Sequence, residues 1–149
     1  MSKSNRLTII LNGMKYRCYN HSCKGYKNYG ARGITVCDEW LNNERINIGW
    51  HNNPTKGFIA FQKWALVNGY KENLTLDRID NSKGYSPENC RWVSYKIQNN
   101  NRRSNLFISY NGKSKTLHQW CDELNLSYSK IFQRLNRLHW SVEEAFETK

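Results

Sequence analysis

Residues 74–99 constrain the fold of this chain more than any other stretch. Alternating apolar residues predict a short strand at 74–76, and a second strand is predicted at 90–93. Turn residues occupy 84–87, and a polar helix is predicted from about 94 to 103. The sequence therefore predicts the order strand, loop, strand and helix within one short segment.

Two oxygen-bearing side chains are placed by this segment. Asp77 follows the first strand directly, and Gln98 lies in the predicted helix. A hard divalent cation prefers oxygen ligands and keeps several waters, so one carboxylate and one amide oxygen leave positions for a phosphate oxygen and a leaving group. We therefore expect a magnesium or manganese site for phosphodiester cleavage at Asp77 and Gln98.

Residues 74–103 resemble the ββα-metal core of HNH endonucleases, especially the small homing endonucleases of phages and introns. The resemblance rests on an acid after the first strand, a glycine-containing loop, Asn89, the Trp92-Val93 strand and the polar helix. It implies that Asp77 binds the metal. It also implies that Asn89 bonds to the loop backbone and holds the motif in shape.

The same resemblance aligns Gln98 with the metal ligand on the family's helix, with Asn99 and Asn101 as alternative registers. The likeness continues upstream, where the phrase Tyr-Gly-x-Arg-Gly-Ile-x-Val-Cys-x-x-Trp spans 29–40. Glycines in that phrase allow the backbone to approach DNA closely.

Arg78 stands where the family carries its general-base histidine. Because arginine keeps its proton at physiological pH, we expect Arg78 to hold the scissile phosphate and stabilise transition-state charge. Family members with Asp-Arg and a Gly-Tyr-Ser-Pro loop contact the phosphate through the loop tyrosine, which implies the same role for Tyr85. The alternative is a surface turn in which Asp77, Arg78 and Asp80 form a salt bridge.

The formal net charge of +11 favours a polyanionic partner through counterion release. Residues 1–37 contain basic side chains and no acid, whereas the two signs nearly balance in 106–149. An anionic membrane surface is an alternative, but no long apolar run or lipidation signal supports it. Double-stranded DNA is the predicted partner, and its predicted contacts in this part of the chain are Lys15, Arg17, Arg32, Lys96, Arg102 and Arg103.

The five cysteines are scattered and odd in number, which predicts reduced thiols and a cytoplasmic location, in a bacterial host by the phage resemblance. Cys18, His21, Cys23 and Cys37 have the chemical types of a zinc site but lack its Cys-x-x-Cys spacing. We expect buried or unreactive thiols and no structural zinc.

The composition predicts an HNH-like nuclease domain over 1–105, with its core at 74–103, and a helical module over 106–149. In the second module, Asn111-Gly112 predicts a turn between two extended segments. The sequence also carries two capping-box pairs that predict helix starts, namely Thr116 with Gln119 and Ser141 with Glu144.

The pattern from 116 to 138 is typical of a helix-turn-helix DNA-binding module. On its second helix, Ile131, Leu135 and Leu138 are predicted to face the core. The side chains predicted to face outward and contact DNA are Lys130, Gln133, Arg134 and Arg137. A three-helix packing module with a solvated charged face is the alternative.

These patterns predict an α+β protein with a ββα-metal core, a basic N-terminal segment and a helix-turn-helix-like module. The expected activity is magnesium-dependent endonuclease cleavage of duplex DNA, of the homing type. The absence of a self-complementary apolar stripe favours a monomer. The alternatives are a non-catalytic, sequence-specific DNA-binding protein on the same scaffold and a homodimeric HNH restriction enzyme.

Overall fold

The computed structural model describes residues 3–49, 53–102 and 104–149 of the chain. The chain divides into two compact units, Met1–Gln98 and Asn99–Lys149. This boundary precedes the predicted one at 105–106 and falls inside a short helix. Within the described residues, no helix has both the length and the hydropathy needed to span a membrane.

The first unit combines helices with one two-stranded antiparallel sheet. Two 3-10 turns, Tyr26–Asn28 and Gly30–Arg32, follow its first helix. Its strands pair in the register Asp77↔Arg91. The helices and strands are α1 (Lys3–Tyr19), α2 (Asp38–Leu41), α3 (Lys56–Val67), β1 (Thr75–Arg78) and β2 (Cys90–Val93), followed by α4 (Tyr95–Asn100), which crosses the unit boundary.

Helix α1 supplies an apolar stripe at helical spacing to the core of the first unit. Leu7, Leu11 and Met14 are almost completely buried, and each buried side chain of this kind contributes about 1.5–3 kcal/mol. They pack in one core with an aromatic group on α2 and α3, in which the Trp40 and Phe61 ring centroids lie 5.0 Å apart. Phe61→Ala is therefore expected to cost about 3–5 kcal/mol.

Helix α3 has the start and end that its sequence favours. The Thr55 hydroxyl accepts a hydrogen bond from the Phe58 amide at 3.1 Å, which satisfies a donor of the first turn. After the helix, Gly69 has a φ of +85°, a backbone conformation that glycine adopts readily at helix ends.

Helix α4 is shorter than predicted. The sequence favoured a helix from about 94 to 103, whereas α4 ends at Asn100. Asparagine has low helix propensity because its side chain competes for backbone hydrogen bonds. The Arg102 amide instead donates to the Asn99 carbonyl at 3.4 Å in a turn.

The second unit contains an antiparallel hairpin followed by three helices. The predicted Asn111-Gly112 turn is confirmed, because both residues have positive φ, at 48° and 71°. Both predicted capping boxes are also present. The elements are β3 (Phe107–Tyr110), β4 (Lys113–Thr116), α5 (Leu117–Glu123), α6 (Tyr128–Asn136) and α7 (Val142–Glu147).

The second unit has a small core of its own. Trp120 lies in it, and its indole Nε1 donates to the Ile108 carbonyl at 2.8 Å. Ile131 is buried as predicted, but Leu138 is 53% exposed. The helix ends at Asn136, so Leu138 does not continue the buried stripe, and its predicted core position is wrong.

Candidate functional site

The hairpin β1–β2 places a buried carboxylate opposite an arginine. Asp77 is 6% exposed, and its Oδ2 lies 3.0 Å from the Nε of Arg91 on the facing strand. A buried carboxylate needs a compensating cation or hydrogen bonds. Arg91 therefore stabilises the charge of Asp77 in this structure, a contact that the sequence analysis did not anticipate.

Asn89 braces the loop that joins the two strands. Its side-chain oxygen accepts from the Asp80 amide at 2.9 Å, and its Nδ2 donates to the carbonyl oxygens of Asp80 and Gly84 at 3.1 and 2.8 Å. All three bonds are made to loop backbone, as the family resemblance implies for this asparagine. Residues 80–84 are thereby tied to the start of β2.

Gln98 connects α4 to β1. Its Nε2 donates to the Leu76 carbonyl at 2.9 Å, and its Oε1 accepts from the Thr75 hydroxyl at 3.3 Å. Thr75 and Asp77 point to the same face of the strand because strand side chains alternate. The Gln98 amide therefore lies on the face of β1 that carries the Asp77 carboxylate.

The donor chemistry of Asp77 and Gln98 fits a hard divalent cation. Both supply oxygen, and magnesium is bound by few protein ligands because it retains several waters. The described residues contain no group of three or more His, Cys, Asp or Glu side chains placed to hold a metal ion. Arg91 is the cation with which a metal would compete for Asp77.

Arg78 anchors the same loop from the end of β1. It is 8% exposed, and its Nη1 donates to the carbonyl oxygens of Asn81 and Lys83 at 3.2 and 2.8 Å. Its guanidinium carbon lies 5.1 Å from the ring centroids of both Tyr29 and Tyr85. Burial among these rings fixes the position of the positive charge of Arg78. Arg78 is the residue directly after Asp77 in the sequence.

Tyr85 is held in place by the backbone. Its amide donates to the Thr35 carbonyl at 2.8 Å, and its own carbonyl accepts from the Cys37 amide at 2.8 Å. A side chain at position 84 would bring its Cβ within 2.5 Å of the Thr35 carbonyl oxygen, so this close approach requires Gly84. Burial raises the pKa of the Tyr85 hydroxyl to about 12, so the phenol stays protonated at physiological pH.

Two arginines and two tyrosines from separate segments form one cluster, which we call the Arg–Tyr cluster: Arg17, Tyr29, Arg78 and Tyr85. The tyrosine rings are nearly parallel, with centroids 6.4 Å apart. The Arg17 guanidinium carbon lies 5.1 Å from the Tyr29 ring centroid and 5.9 Å from that of Tyr85. Arg78 and Tyr85 were predicted to contact the phosphate and Arg17 to contact DNA, whereas no role was predicted for the Tyr29 side chain.

The cluster borders a cleft of about 700 Å³ between α1 and the β1 edge. The polar side chains that line the cleft include Arg6, Arg17 and Gln98, and Tyr95 adds an aromatic ring. Among the described residues, none of the side chains lining the cleft is acidic. The cleft therefore combines positive charge, hydrogen-bond donors and aromatic surface.

The remaining basic candidates in the first unit are dispersed. Lys15 lies on α1, where partial burial lowers the pKa of its ammonium group. Arg32 and Lys96 are exposed, and Arg32 Nη1 donates to the Asn28 carbonyl at 3.1 Å. None of these three lines the cleft described above, as far as the described residues show.

In the second unit, Lys130, Gln133 and Arg137 are exposed on or at the end of α6, as predicted. Arg102 is exposed just after α4. Arg103, also predicted to contact DNA, lies outside the described residues.

The prediction that Arg134 faces outward is wrong. Arg134 is 7% exposed, and its Nη1 donates to the carbonyl oxygens of Ala145 and Thr148 at 2.8 and 2.5 Å. Its guanidinium carbon lies 4.9 Å from the Trp140 ring centroid. The last carbonyl groups of a helix lack intrahelical donors, and Arg134 supplies them for α7.

Comparison of the chain with protein-family models, with curated proteins and with solved structures found no match.

Proposed function

We propose that this protein is a magnesium-dependent endonuclease that nicks or cuts duplex DNA, built on an HNH-like ββα core. The observation that carries the proposal is the hairpin β1–β2 followed by α4, with the buried Asp77 on one strand and the Gln98 amide on the same face. The Asn89 contacts and the Arg–Tyr cluster beside this hairpin support the same interpretation.

In this proposal, Asp77 and Gln98 are the residues that hold the cation. A bound magnesium ion supplies Lewis-acid stabilisation of charge on the phosphate and on the leaving oxygen. Arg91 orients the Asp77 carboxylate through its 3.0 Å contact. Asn89 keeps the loop, and with it the Arg78 side chain, in a fixed position.

Arg78 and Tyr85 orient the phosphate. Arg78 offers a positive charge whose position is already fixed by loop carbonyls and aromatic rings, so little reorganisation accompanies the reaction. Tyr85 offers a phenol whose pKa burial raises to about 12, well above physiological pH. Arg78 does not accept the proton of the attacking water, because a guanidinium is not deprotonated in proteins.

The charge of the chain and the surface of α6 support DNA as the substrate. A net charge of +11 attracts a polyanion. Helix α6 exposes Lys130 and Gln133 on the side away from the buried Ile131. Lysine and glutamine at such positions contact phosphates and base edges when a helix enters the major groove.

A second candidate function is sequence-specific DNA binding without cleavage. The observation that favours it is the contact of Arg91 with Asp77, because a guanidinium already compensates the carboxylate. The arginine at position 78, which cannot act as a general base, points the same way.

Plasmid cleavage separates the two candidates. Supercoiled plasmid carrying phage DNA is incubated with wild-type protein in magnesium and in chelator, and with Asp77→Ala in magnesium. We expect metal-dependent conversion to open-circular or linear DNA by wild type alone, with unchanged duplex binding by Asp77→Ala. Glu72→Ala, which removes an exposed acid outside the site, is the matched control and should cleave as wild type does.

Absence of conversion by wild type, combined with salt-sensitive duplex binding, would favour the binding protein. Full activity of Asp77→Ala at saturating magnesium would show that the metal site lies elsewhere. Sedimentation of the active protein separates a monomer from the homodimer expected of a palindrome-cutting enzyme.

A further inference from the structure

The position of Arg17 on α1 places a second arginine beside the proposed cleavage centre. The core stripe of α1 includes Leu11, Met14 and Cys18. Arg17 directly precedes Cys18, so it lies at the border between the buried stripe and the cleft. Gly13, one turn earlier, leaves room for the side chain, since a Cβ there would lie 3.3 Å from Arg17 Nη1.

The guanidinium of Arg17 is only partly satisfied by protein groups. Its Nη2 donates to the Tyr85 hydroxyl oxygen at 3.1 Å. Its Nε is buried and has no hydrogen-bond partner within the described part of the chain. A buried charged donor without an acceptor is costly, and native structures normally supply a ligand, ion or water for it. Arg17 lines the cleft, and a small movement of its side chain would present this buried donor to an anion there.

Tyr85 provides a second donor on the same side. Because its oxygen already accepts from Arg17, its own O–H proton is directed to another acceptor. Both side chains line the cleft, whose described lining carries no acid. Phosphate oxygens are the acceptors that such a pair of donors recognises best.

We propose that the cleft holds a backbone phosphate of the DNA, that Arg17 Nε–H and Tyr85 O–H donate to its oxygens, and that Arg17 also positions the Tyr85 hydroxyl. This inference rests on the proposed function and adds a residue from α1 to a site otherwise built from the hairpin, its loop and α4. Inorganic phosphate presents the same oxygens, so the experiment includes it as a separate ligand.

The direct test observes the arginine Nε–H resonances of ¹⁵N-labelled full-length protein by NMR. The Arg17 signal is assigned by its loss in Arg17→Lys. A duplex oligonucleotide is added in chelator, which prevents cleavage, and inorganic phosphate is added to a second sample. We expect the Arg17 Nε–H resonance to shift on addition of duplex and the shift to saturate with the backbone amide shifts.

Duplex affinity at several salt concentrations tests the contribution of the contact. Arg17→Met should weaken binding by about tenfold or more, because it removes a charge-assisted hydrogen bond, and should lower the slope of log affinity against log salt by about one. The matched control Lys63→Met removes one exposed positive charge from α3 and should change neither. Equal effects of the two substitutions would overturn the inference.

The positioning of Tyr85 has a separate readout. Arg17→Lys keeps the charge but removes the Nε–H donor and the planar fork. It should retain the salt slope while lowering the single-turnover cleavage rate at saturating DNA, and Tyr85→Phe should lower that rate to a similar extent. An Arg17→Lys variant that cleaves at the wild-type rate would contradict a positioning role.

The outcomes distinguish this inference from the proposed function. An Arg17 resonance that stays fixed at duplex saturation, with magnesium-dependent cleavage intact, overturns the inference alone. A resonance that shifts in a protein that does not cleave overturns the nuclease and retains the phosphate site. A shift with inorganic phosphate but none with duplex overturns the assignment to DNA, and no duplex binding overturns both.

Discussion

Among the residues that the structure describes, each unit buries one arginine, and the two differ in what surrounds them. Arg78 and Arg134 are both more than nine-tenths buried, both donate to backbone carbonyl oxygens, and both lie against aromatic rings. Arg134 binds the carbonyl end of a helix that lacks donors. Arg78 donates to carbonyl oxygens of a loop. It directly follows the buried Asp77 in sequence and belongs to the Arg–Tyr cluster together with Arg17.

Burial and hydrogen bonds to carbonyl oxygens do not separate Arg134, which caps a helix, from Arg78, which we propose to contact a phosphate. The groups around the two arginines do differ. The carbonyl oxygens bound by Arg134 lie at the end of α7 in its own unit, and the Trp140 ring lies against its guanidinium. Arg78 shares its two tyrosines with the guanidinium of Arg17, so two positive charges lie in one cluster.

The largest difference between substitutions of the two buried arginines is expected in the rate of DNA cleavage. Arg78→Met removes a preorganised positive charge from the proposed phosphate site, and loss of one such group typically lowers the rate by about 100–1,000-fold. Single-turnover cleavage of a labelled duplex measures it, at a temperature at which circular dichroism shows the variant folded. Lys63→Met, which removes an exposed charge, is the control. A folded Arg78→Met that cleaves within a few-fold of wild type would remove the distinction between the two arginines.

Arg134→Met is expected to act on stability. It leaves the Ala145 and Thr148 carbonyl oxygens without their charged donor, at a cost of about 3 kcal/mol for the pair of bonds. Chemical denaturation followed by Trp fluorescence, with hydrogen exchange of α7 amides, measures the loss. Arg137→Met, on an exposed residue next to α6, should change stability by less than about 0.5 kcal/mol. Equal stability of the two variants would contradict the capping role.

Features set by nearby residues were predictable from the sequence. The capping boxes at Thr116 and Ser141 depend on residues three positions apart, and the hairpin turn depends on the Asn111-Gly112 pair itself. The acid at position 77 and the bracing asparagine at 89 could be named because a short motif fixes their spacing.

Contacts between distant segments were not predictable. Arg17 meets Tyr85 only because α1 packs beside the loop after β1. Arg134 does carry a local signal, because it lies three residues after the buried Ile131 on the same helix face. Its positive charge nevertheless favoured the prediction that it faces outward. The Asp77–Arg91 pair depends on the register in which β1 and β2 pair. The sequence of the loop between these strands does not determine that register.

A comparison of two tyrosines sharpens the contrast between the units at high pH. Burial raises the pKa of Tyr85 to about 12. Because its folded pKa exceeds its unfolded value near 10, its stabilising contribution is complete below about pH 10 and is lost as the pH rises towards 12. In the second unit, a hydrogen bond to Glu147 raises the pKa of Tyr110, but at an exposed site.

We therefore expect the free energy of unfolding of Tyr85→Phe to fall less than that of wild type between pH 10 and 12, by about 2 kcal/mol. The free energy of unfolding of the variant still falls in part over this range, because the buried Cys90 thiol, with a pKa raised to about 12, also ionises. Urea denaturation at closely spaced pH values measures both. Tyr110→Phe should follow wild type, because solvent screens its exposed interaction; a Tyr85→Phe curve parallel to wild type would show that Tyr85 is not buried as described.

The smallest expected effect concerns a helix start in the second unit. The Ser141 hydroxyl accepts from the Glu144 amide at 3.1 Å, and the Glu144 carboxylate accepts from the Ser141 amide at 2.9 Å. Ser141→Ala removes the first bond and should cost about 1 kcal/mol. Because Arg134 holds the other end of α7, fraying should be confined to its first turn, with faster hydrogen exchange at the Glu144 amide and little change at the end of the helix. The control is Ser114→Ala on β4, an exposed serine outside any cap. Faster exchange along the whole of α7 would show that the cap, and not Arg134, determines whether this helix stays docked on its core.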